Sequence, residues 1–229
     1  MPLAIALTAN QMAAFCLPPL PPNPTPAQQR EQERARWNHY LLDATWRSTR
    51  FNSQPNALLQ EAVLGVPPGV ALDVNMGEGR NALYLAGLGW QVTGIDLADQ
   101  ALAFAQQRAI QLGVALTTVV GDANTYDWGT SSQDLILLCY ADESAHLERV
   151  QAALRPGGLL VLENFHADVN QTWQMPPDHR VGFASNELPD LYRTAGFQIV
   201  RYEEPVAVAD FTRETHRLVR LVARKNNKA

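Results

Sequence analysis

The sequence predicts an α/β protein built on a doubly wound, mostly parallel sheet with helices on both faces. Three observations carry that expectation. Short apolar runs alternate with helix-length segments from residue 67 onward. Two of the runs, LILLCY (135–140) and LLVLENF (159–165), are apolar almost throughout, as strands covered on both sides are. The runs also end on polar residues, Asp73, Asp96, Asp122, Tyr140 and Glu163-Asn164, at the edge where such sheets hold ligands.

Taken in chain order, residues 1–26 read as a flexible, Pro-rich leader, because the prolines between Pro18 and Pro26 remove donors and bias the preceding residues away from helix. The first 20 residues are apolar but carry no positive charge, a weak export signal at best. Residues 27–229 read as a single domain, with an N-terminal helical lid (27–66) and a core (67–229). In 27–46, Trp37, Tyr40, Leu41 and Ala44 recur at helical spacing and predict one amphipathic helix. Strands are expected at 71–74, 91–96, 117–121, 134–140 and 159–165. Helices are expected at 80–88, 99–112 and 142–154, the first stopped near Gly87 or Gly89 and the second at Gly113. A last helix, 186–195, begins on Asn186 as its cap. Strands at 197–204 and 216–224 follow.

Composition narrows the function. A net charge of -5 and a pI near 5.5 argue against nucleic acid as a partner, since neutralising phosphates takes a concentrated cationic face. The one basic stretch, 213–228, interleaves arginines with apolar residues and reads as an outer strand with a solvated tail. No run reaches the roughly 18 apolar residues that cross a bilayer, so no membrane is expected. Two cysteines, Cys16 and Cys139, without CxxC spacing indicate neither disulfides nor a structural metal, and a cytoplasmic setting fits. His166, Asp168 and His179 are too irregularly spaced for a metal site. Both lysines, Lys225 and Lys228, lie in the final five residues, which excludes a catalytic lysine or a GxxxxGK phosphate loop in the body of the chain.

The segment DVNMGEGRNALYLA (73–86) carries the chemistry. Gly77 to Ala82 fits GxGxxA, the dinucleotide fingerprint, with Asp96 closing the next strand where a ribose-binding acid belongs. Read from Asp73 through Asn75, Gly77 and Gly79, it is instead the acidic loop of an S-adenosylmethionine site with one glycine replaced. Charge separates the two: a pyrophosphate is repelled by Asp73 and Glu78, whereas a methionyl ammonium gains from them.

Together with GWQVTGIDL (89–97), VVGDANTYDW (119–128), DLILLCY (134–140), LRPGGLLVLENFH (154–166) and RLVRLVARK (217–225), this segment resembles the class I S-adenosylmethionine-dependent methyltransferases. The likeness is greatest to the small-molecule branch with tellurite-resistance and thiopurine-type enzymes, and it covers about residues 35–225. It implies a Rossmann-like core with a reversed terminal hairpin and a turn at Pro156-Gly157-Gly158. It also implies methyl transfer from S-adenosylmethionine to a small-molecule thiol, metalloid or other heteroatom nucleophile. By the same resemblance, Asp73, Met76, Gly77 and Gly79 would hold the methionyl part, Asp96 the ribose, Leu97 the adenine face, and Asp122 and Ala123 the adenine edge. Cys139 and Tyr140 would line the sulfonium, and Trp37 would close over the donor from the lid. Asn75 stands where the family has glycine; asparagine tolerates the left-handed region, so the loop is expected to survive there. A non-catalytic donor-binding relative and an NAD(P)-dependent oxidoreductase remain the alternatives.

Candidate acceptor-side groups are Tyr140, Glu163, His166, Asp168 and His179, with His166 best placed as a base; Arg80 or Arg180 would meet an anionic acceptor, and Arg50 joins the lid. The long connection 166–185 is where acceptor specificity is expected.

Overall fold

A computed structural model of the chain describes residues 20–141, 145–176 and 180–227. Most of the proposed leader, including Cys16, and the candidate His179 lie outside the described residues. Thr25 opens helix α1 (Pro26–Leu42) with a capping box: its hydroxyl accepts from Gln28 N at 3.3 Å while the Gln28 side chain takes the Thr25 N–H at 2.9 Å. The single helix expected over 27–46 is in fact two. Asp43 leaves the helical region and its carboxylate accepts from the amides of Thr45 and Trp46, so that it caps a second helix, α2 (Ala44–Arg50). Asn56 caps a short third helix, α3 (Ala57–Ala62), through its side-chain oxygen and Leu59 N.

The core then alternates as expected: β1 (Val70–Val74), α4 (Arg80–Gly87), β2 (Gln91–Asp96), α5 (Asp99–Leu112), β3 (Thr117–Val120), β4 (Gln133–Cys139), α6 (Leu147–Ala153) and β5 (Leu154–Phe165). After a short turn of helix, α7 (Val169–Thr172), come α8 (Glu187–Thr194), β6 (Phe197–Glu203), β7 (Val206–Val208) and β8 (Thr215–Lys225). The sheet order is β3-β2-β1-β4-β5-β8-β6, with β7 on β8; the first five strands are parallel and β8 runs antiparallel to both neighbours.

Alternate residues along the strands feed two cores. Leu72, Val74, Ile136, Leu138, Leu160 and Leu162 face one side with Trp128 and Tyr192, and Ala71, Leu135, Leu137, Leu159 and Val161 face the other with Leu59, Leu85 and Trp90. Trp128 is buried and donates to Ala123 O at 2.9 Å, which makes it a packing residue.

Three local expectations need correction. The basic stretch is no outer strand: β8 lies between β5 and β6, and its Arg217, Arg220 and Arg224 bond to Glu204, Glu163 and the Gly157 carbonyl. Pro156-Gly157-Gly158 is an irregularity inside β5: Gln133 pairs with Leu154, but Leu135 already pairs with Leu159. Asn186 sits at φ 62° and makes no side-chain cap; its own N–H goes to the Tyr202 hydroxyl and Glu204, and the Glu187 carboxylate receives Ala184 N. Among the described residues no helix is long and apolar enough to cross a membrane.

Candidate functional site

The parallel strands all point their carboxyl ends to one edge, and α1 and α2 lie across it. Arg30 reaches Asp122 beyond β3 at 3.7 Å, Asn38 holds Asp99 at 2.6 Å and Gln100 N at 3.1 Å, and Arg47 on α2 approaches Glu78 in the glycine-rich bend at 3.8 Å. These two helices are thus tied to the segments that follow β1, β2 and β3. A shallow cleft of about 340 Å³ lies at the opposite end, among Pro67, Pro68, Trp90, Asp134 and Gly158. Its one carboxylate, Asp134, is already bonded to Val70 N and Arg155, so the carboxyl edge is the stronger candidate.

The bend after β1 is shaped by backbone geometry. Asn75, Gly77 and Gly79 all have positive φ, at 53°, 58° and 74°. Asparagine fills the first position because its amide donates to Ala141 O, clamping the bend to the segment after β4. At Gly77 an added Cβ would meet nothing within 4 Å, so the bend leaves open space beside its backbone. We expect Asn75→Ala to lower the unfolding free energy by about 1–2 kcal/mol, the sum of left-handed strain and a lost hydrogen bond. Asn75→Gly should lose less, because glycine accepts the same φ; equal losses in urea titrations would remove the conformational argument.

Two carboxylates flank this bend. Asp73 is 2% exposed and its Oδ2 has no hydrogen-bond partner. Burial pushes its pKa up to about 7, against the opposing pull of Arg80. Asp96 is satisfied: Oδ2 accepts Gly77 N and Oδ1 accepts Ala98 N, both at 2.8 Å, and burial raises its pKa although these amides favour the charged form. Met76 is buried, with its N–H on Ile95 O, and its thioether occupies the space that a side chain at Gly94 would need. Leu97 is half-buried beside Asp96. Asp122 accepts from Asn124 N, and Ala123 is buried behind it.

At the end of β4 the structure shows a network that the sequence does not. Glu163, 1% exposed, accepts from Asn56 Nδ2 at 2.8 Å, the Tyr140 hydroxyl at 2.9 Å and Arg220 Nε at 2.6 Å. Asn56 also donates to Asp210, which takes Arg80 at 2.6 Å and Asn52 at 2.7 Å and gives its N–H to the Tyr140 hydroxyl. Burial presses on Asp210, but Arg80 and the amides outweigh it and its pKa falls; burial and the Glu163 charge raise those of Tyr140 and Cys139 well above normal. Glu163 and Tyr140 thus hold elements together: three donors meet the Glu163 carboxylate, and the Tyr140 hydroxyl proton goes to it. His166 is likewise engaged: Nε2 lies 3.1 Å from Ser185 Oγ, and Nδ1 accepts Asp168 N at 3.2 Å. Arg180 pairs with Glu187.

Four residues near the site escaped sequence reasoning. Arg47 lies over the Phe104 ring at 4.1 Å with a buried, unpartnered Nη1. Asn56, Asp210 and His216 are single polar residues whose partners lie far away in sequence, and only the closure of the fold brings those partners together. Trp37 donates to Glu33 and meets Phe211 edge-on at 6.3 Å, so the lid is joined to the loop before β8 by aromatic contact. Among the described residues no group of three or more His, Cys, Asp or Glu gathers as a metal site would need.

The chain is similar to several known proteins. Residues 71–158 match the family described as "Methyltransferase domain". The chain is 27% identical over 172 residues, 72% of its length and 56% of the relative's, to Hemagglutinin 1 of Eikenella corrodens. It is 27% identical over 147 residues, 61% and 49%, to the probable S-adenosyl-L-methionine-dependent methyltransferase TehB of Haemophilus influenzae. It thus spans about half the length of these two relatives. The Burkholderia thailandensis 1,6-didemethyltoxoflavin-N1-methyltransferase, solved with 1,6-didemethyltoxoflavin and S-adenosylhomocysteine, superposes with a TM-score of 0.61 at 23% identity, covering 91% of this chain and 94% of the other. The orphaned Asp73 oxygen and the open bend fit a cationic nucleoside. Residues 71–158 thus match a methyltransferase domain, and the chain is similar to S-adenosylmethionine-dependent methyltransferases, TehB among them.

Proposed function

We propose that this protein transfers the methyl group of S-adenosylmethionine to a small-molecule acceptor bearing a heteroatom nucleophile, in the cytoplasm. The observation that carries the reading is Asp73: a buried carboxyl with one unpartnered oxygen, at a strand tip beside a bend with room for a ligand. A dinucleotide pyrophosphate placed there would face Asp73, Asp96 and Glu78 together, and like charges at such range repel. An NAD(P)-dependent oxidoreductase is therefore the weaker reading.

In this reading Asp73 faces the methionyl ammonium, and the backbone of Met76, Gly77 and Gly79 lies along the methionyl chain. Arg47 offers its spare Nη1 to the carboxylate, a geometry guanidinium suits. Asp96 takes the ribose hydroxyls, Leu97 lies against the adenine, and Asp122 and Ala123 meet its edge. Asn75 fixes the bend, Cys139 and Tyr140 flank the reacting end, and Trp37 belongs to the cover. The bound donor supplies an already activated leaving group. The protein's own task is alignment and exclusion of water, which the lid across the strand tips performs.

Asp96→Ala should weaken S-adenosylhomocysteine binding more than tenfold, through the lost ribose contacts and through release of Gly77 N, which the same carboxylate holds. Calorimetry with the full chain checks this, and an unchanged Kd would mean that the pocket has been misplaced.

A further inference from the structure

Three consecutive residues, from the last of α2 onward, meet one loop. Arg50 Nη1 lies 3.5 Å from the Glu214 carboxylate, and Phe51 pairs with Phe211 as an isolated antiparallel bridge, their ring centroids 5.3 Å apart. Asn52 gives its N–H to Asp210 O at 2.8 Å and its side-chain amide to the Asp210 carboxylate at 2.7 Å. The linker 50–56 and the loop 209–214, between β7 and β8, therefore form one strap. Its loop is strained: Thr212 and Arg213 have φ of 74° and 63°, and a β-branched residue in the left-handed region is rare. Such a turn persists only where its surroundings hold it.

Two of the holding groups come from the first turn of α4, directly after the glycine-rich bend. Arg80 Nη1 donates to Asp210 Oδ2 at 2.6 Å and to Gln54 O at 2.9 Å, and Asn81 Oδ1 accepts Asn56 N at 2.8 Å. The Arg80 and Asp210 side chains are only 16% and 13% exposed, so salt and water screen this pair less than one on the surface. The backbone of Gly77 and Gly79 leads straight into Arg80. Whatever fixes this side chain also steadies the bend, and by linkage a ligand that steadies the bend returns the same free energy to the strap.

We propose that Arg80 is a positioning residue for the donor: by gripping Asp210 and the Gln54 carbonyl it fastens the strap to the helix that begins at the bend, and so couples donor binding to strap closure. The proposal rests on the methyl-transfer reading above and adds to it a residue that acts through the bend. Arg80 also draws Asp73 toward its charged form, so removing the guanidinium alone does not separate grip from charge. Asp210→Asn does, because it breaks the ion pair and leaves the cation in place.

The test follows hydrogen exchange of the full chain with and without S-adenosylhomocysteine, alongside affinities from calorimetry. In the parent, saturating nucleoside should slow exchange at least fivefold in 50–56 and 209–214 as well as in 75–80. In Arg80→Met and in Asp210→Asn the strap should no longer respond while 75–80 still does, and each variant should bind at least fivefold more weakly. The double variant should bind within twofold of the weaker single one, since both changes remove one bond. Arg80→Lys, which keeps a cation for Asp210, should return to within threefold of the parent. A parent whose strap ignores the nucleoside, an Asp210→Asn variant that binds as the parent does, or losses that add in the double variant would overturn this inference and leave the methyl-transfer reading standing. A parent that does not bind the nucleoside at all would overturn both.

Discussion

Replacing Glu163 with alanine should lower the unfolding free energy by about 3–5 kcal/mol, the usual consequence of removing one partner from a buried charge pair. The carboxylate is 1% exposed and bonds Asn56, Tyr140 and Arg220. Truncation leaves an amide, a hydroxyl and a guanidinium facing a cavity, and each of these loses a partner it cannot recover from water. Glu163→Gln keeps the shape and a carbonyl for Asn56 or Tyr140, and Arg220 retains Glu203 at 3.3 Å, so the loss should shrink to about 1–3 kcal/mol. The network joins the cap of α3, the tip of β4, β5, β8 and the loop carrying Asp210. Damage here should therefore loosen the packing of α3 as well as the sheet, and S-adenosylhomocysteine affinity should fall with stability. Urea titrations of both variants decide the matter. An alanine variant within 1 kcal/mol of the parent but without methyl-transfer activity would restore Glu163 to the catalytic part that the sequence suggests.

That contrast shows what was legible in the sequence. The core strands and their order of appearance follow from runs such as LILLCY, because a strand buried on both faces leaves little else for an apolar hexamer to be. The acidic strand tips follow as well, since Asp73 and Asp96 lie at strand ends and the bend between them needs glycine or asparagine at positive φ. What stayed hidden depends on closure. Glu163 occupies a strand tip exactly as a reacting group would, and nothing in its neighbours in sequence reveals that Asn56, 107 positions away, and Arg220, 57 positions away, will satisfy it. The break at Asp43 was equally obscured: apolar spacing continues across it, and only the capping bonds to Thr45 and Trp46 divide the helix.

The affinity for S-adenosylmethionine should fall about 50-fold between pH 7 and pH 5, and Asp73 is the reason. Its carboxyl titrates at about 7 in the ligand-free protein because burial penalises the charge. An ammonium placed beside it needs the carboxylate, so each pH unit below that value costs about a factor of ten in binding. Binding in that range releases a proton, which calorimetry in two buffers of different ionisation enthalpy counts directly. Above about pH 7.7–8.0 the donor's own amino group begins to lose its proton, so the tightest binding should fall between the two limits. The sign for stability runs the other way. A carboxyl whose folded pKa is raised stabilises the empty protein below its unfolded value of 3.8, and that contribution is lost as pH rises through about 7. The ligand should therefore raise the melting temperature more at pH 7.5 than at pH 5.5. Asp73→Asn keeps the shape and removes the titration: its binding should be weak and flat from pH 5 to 7, and the empty variant should not lose stability over that range. A parent protein with pH-independent affinity, or a variant that keeps the parent's slope, would show that the buried carboxyl does not face the cationic end of the donor.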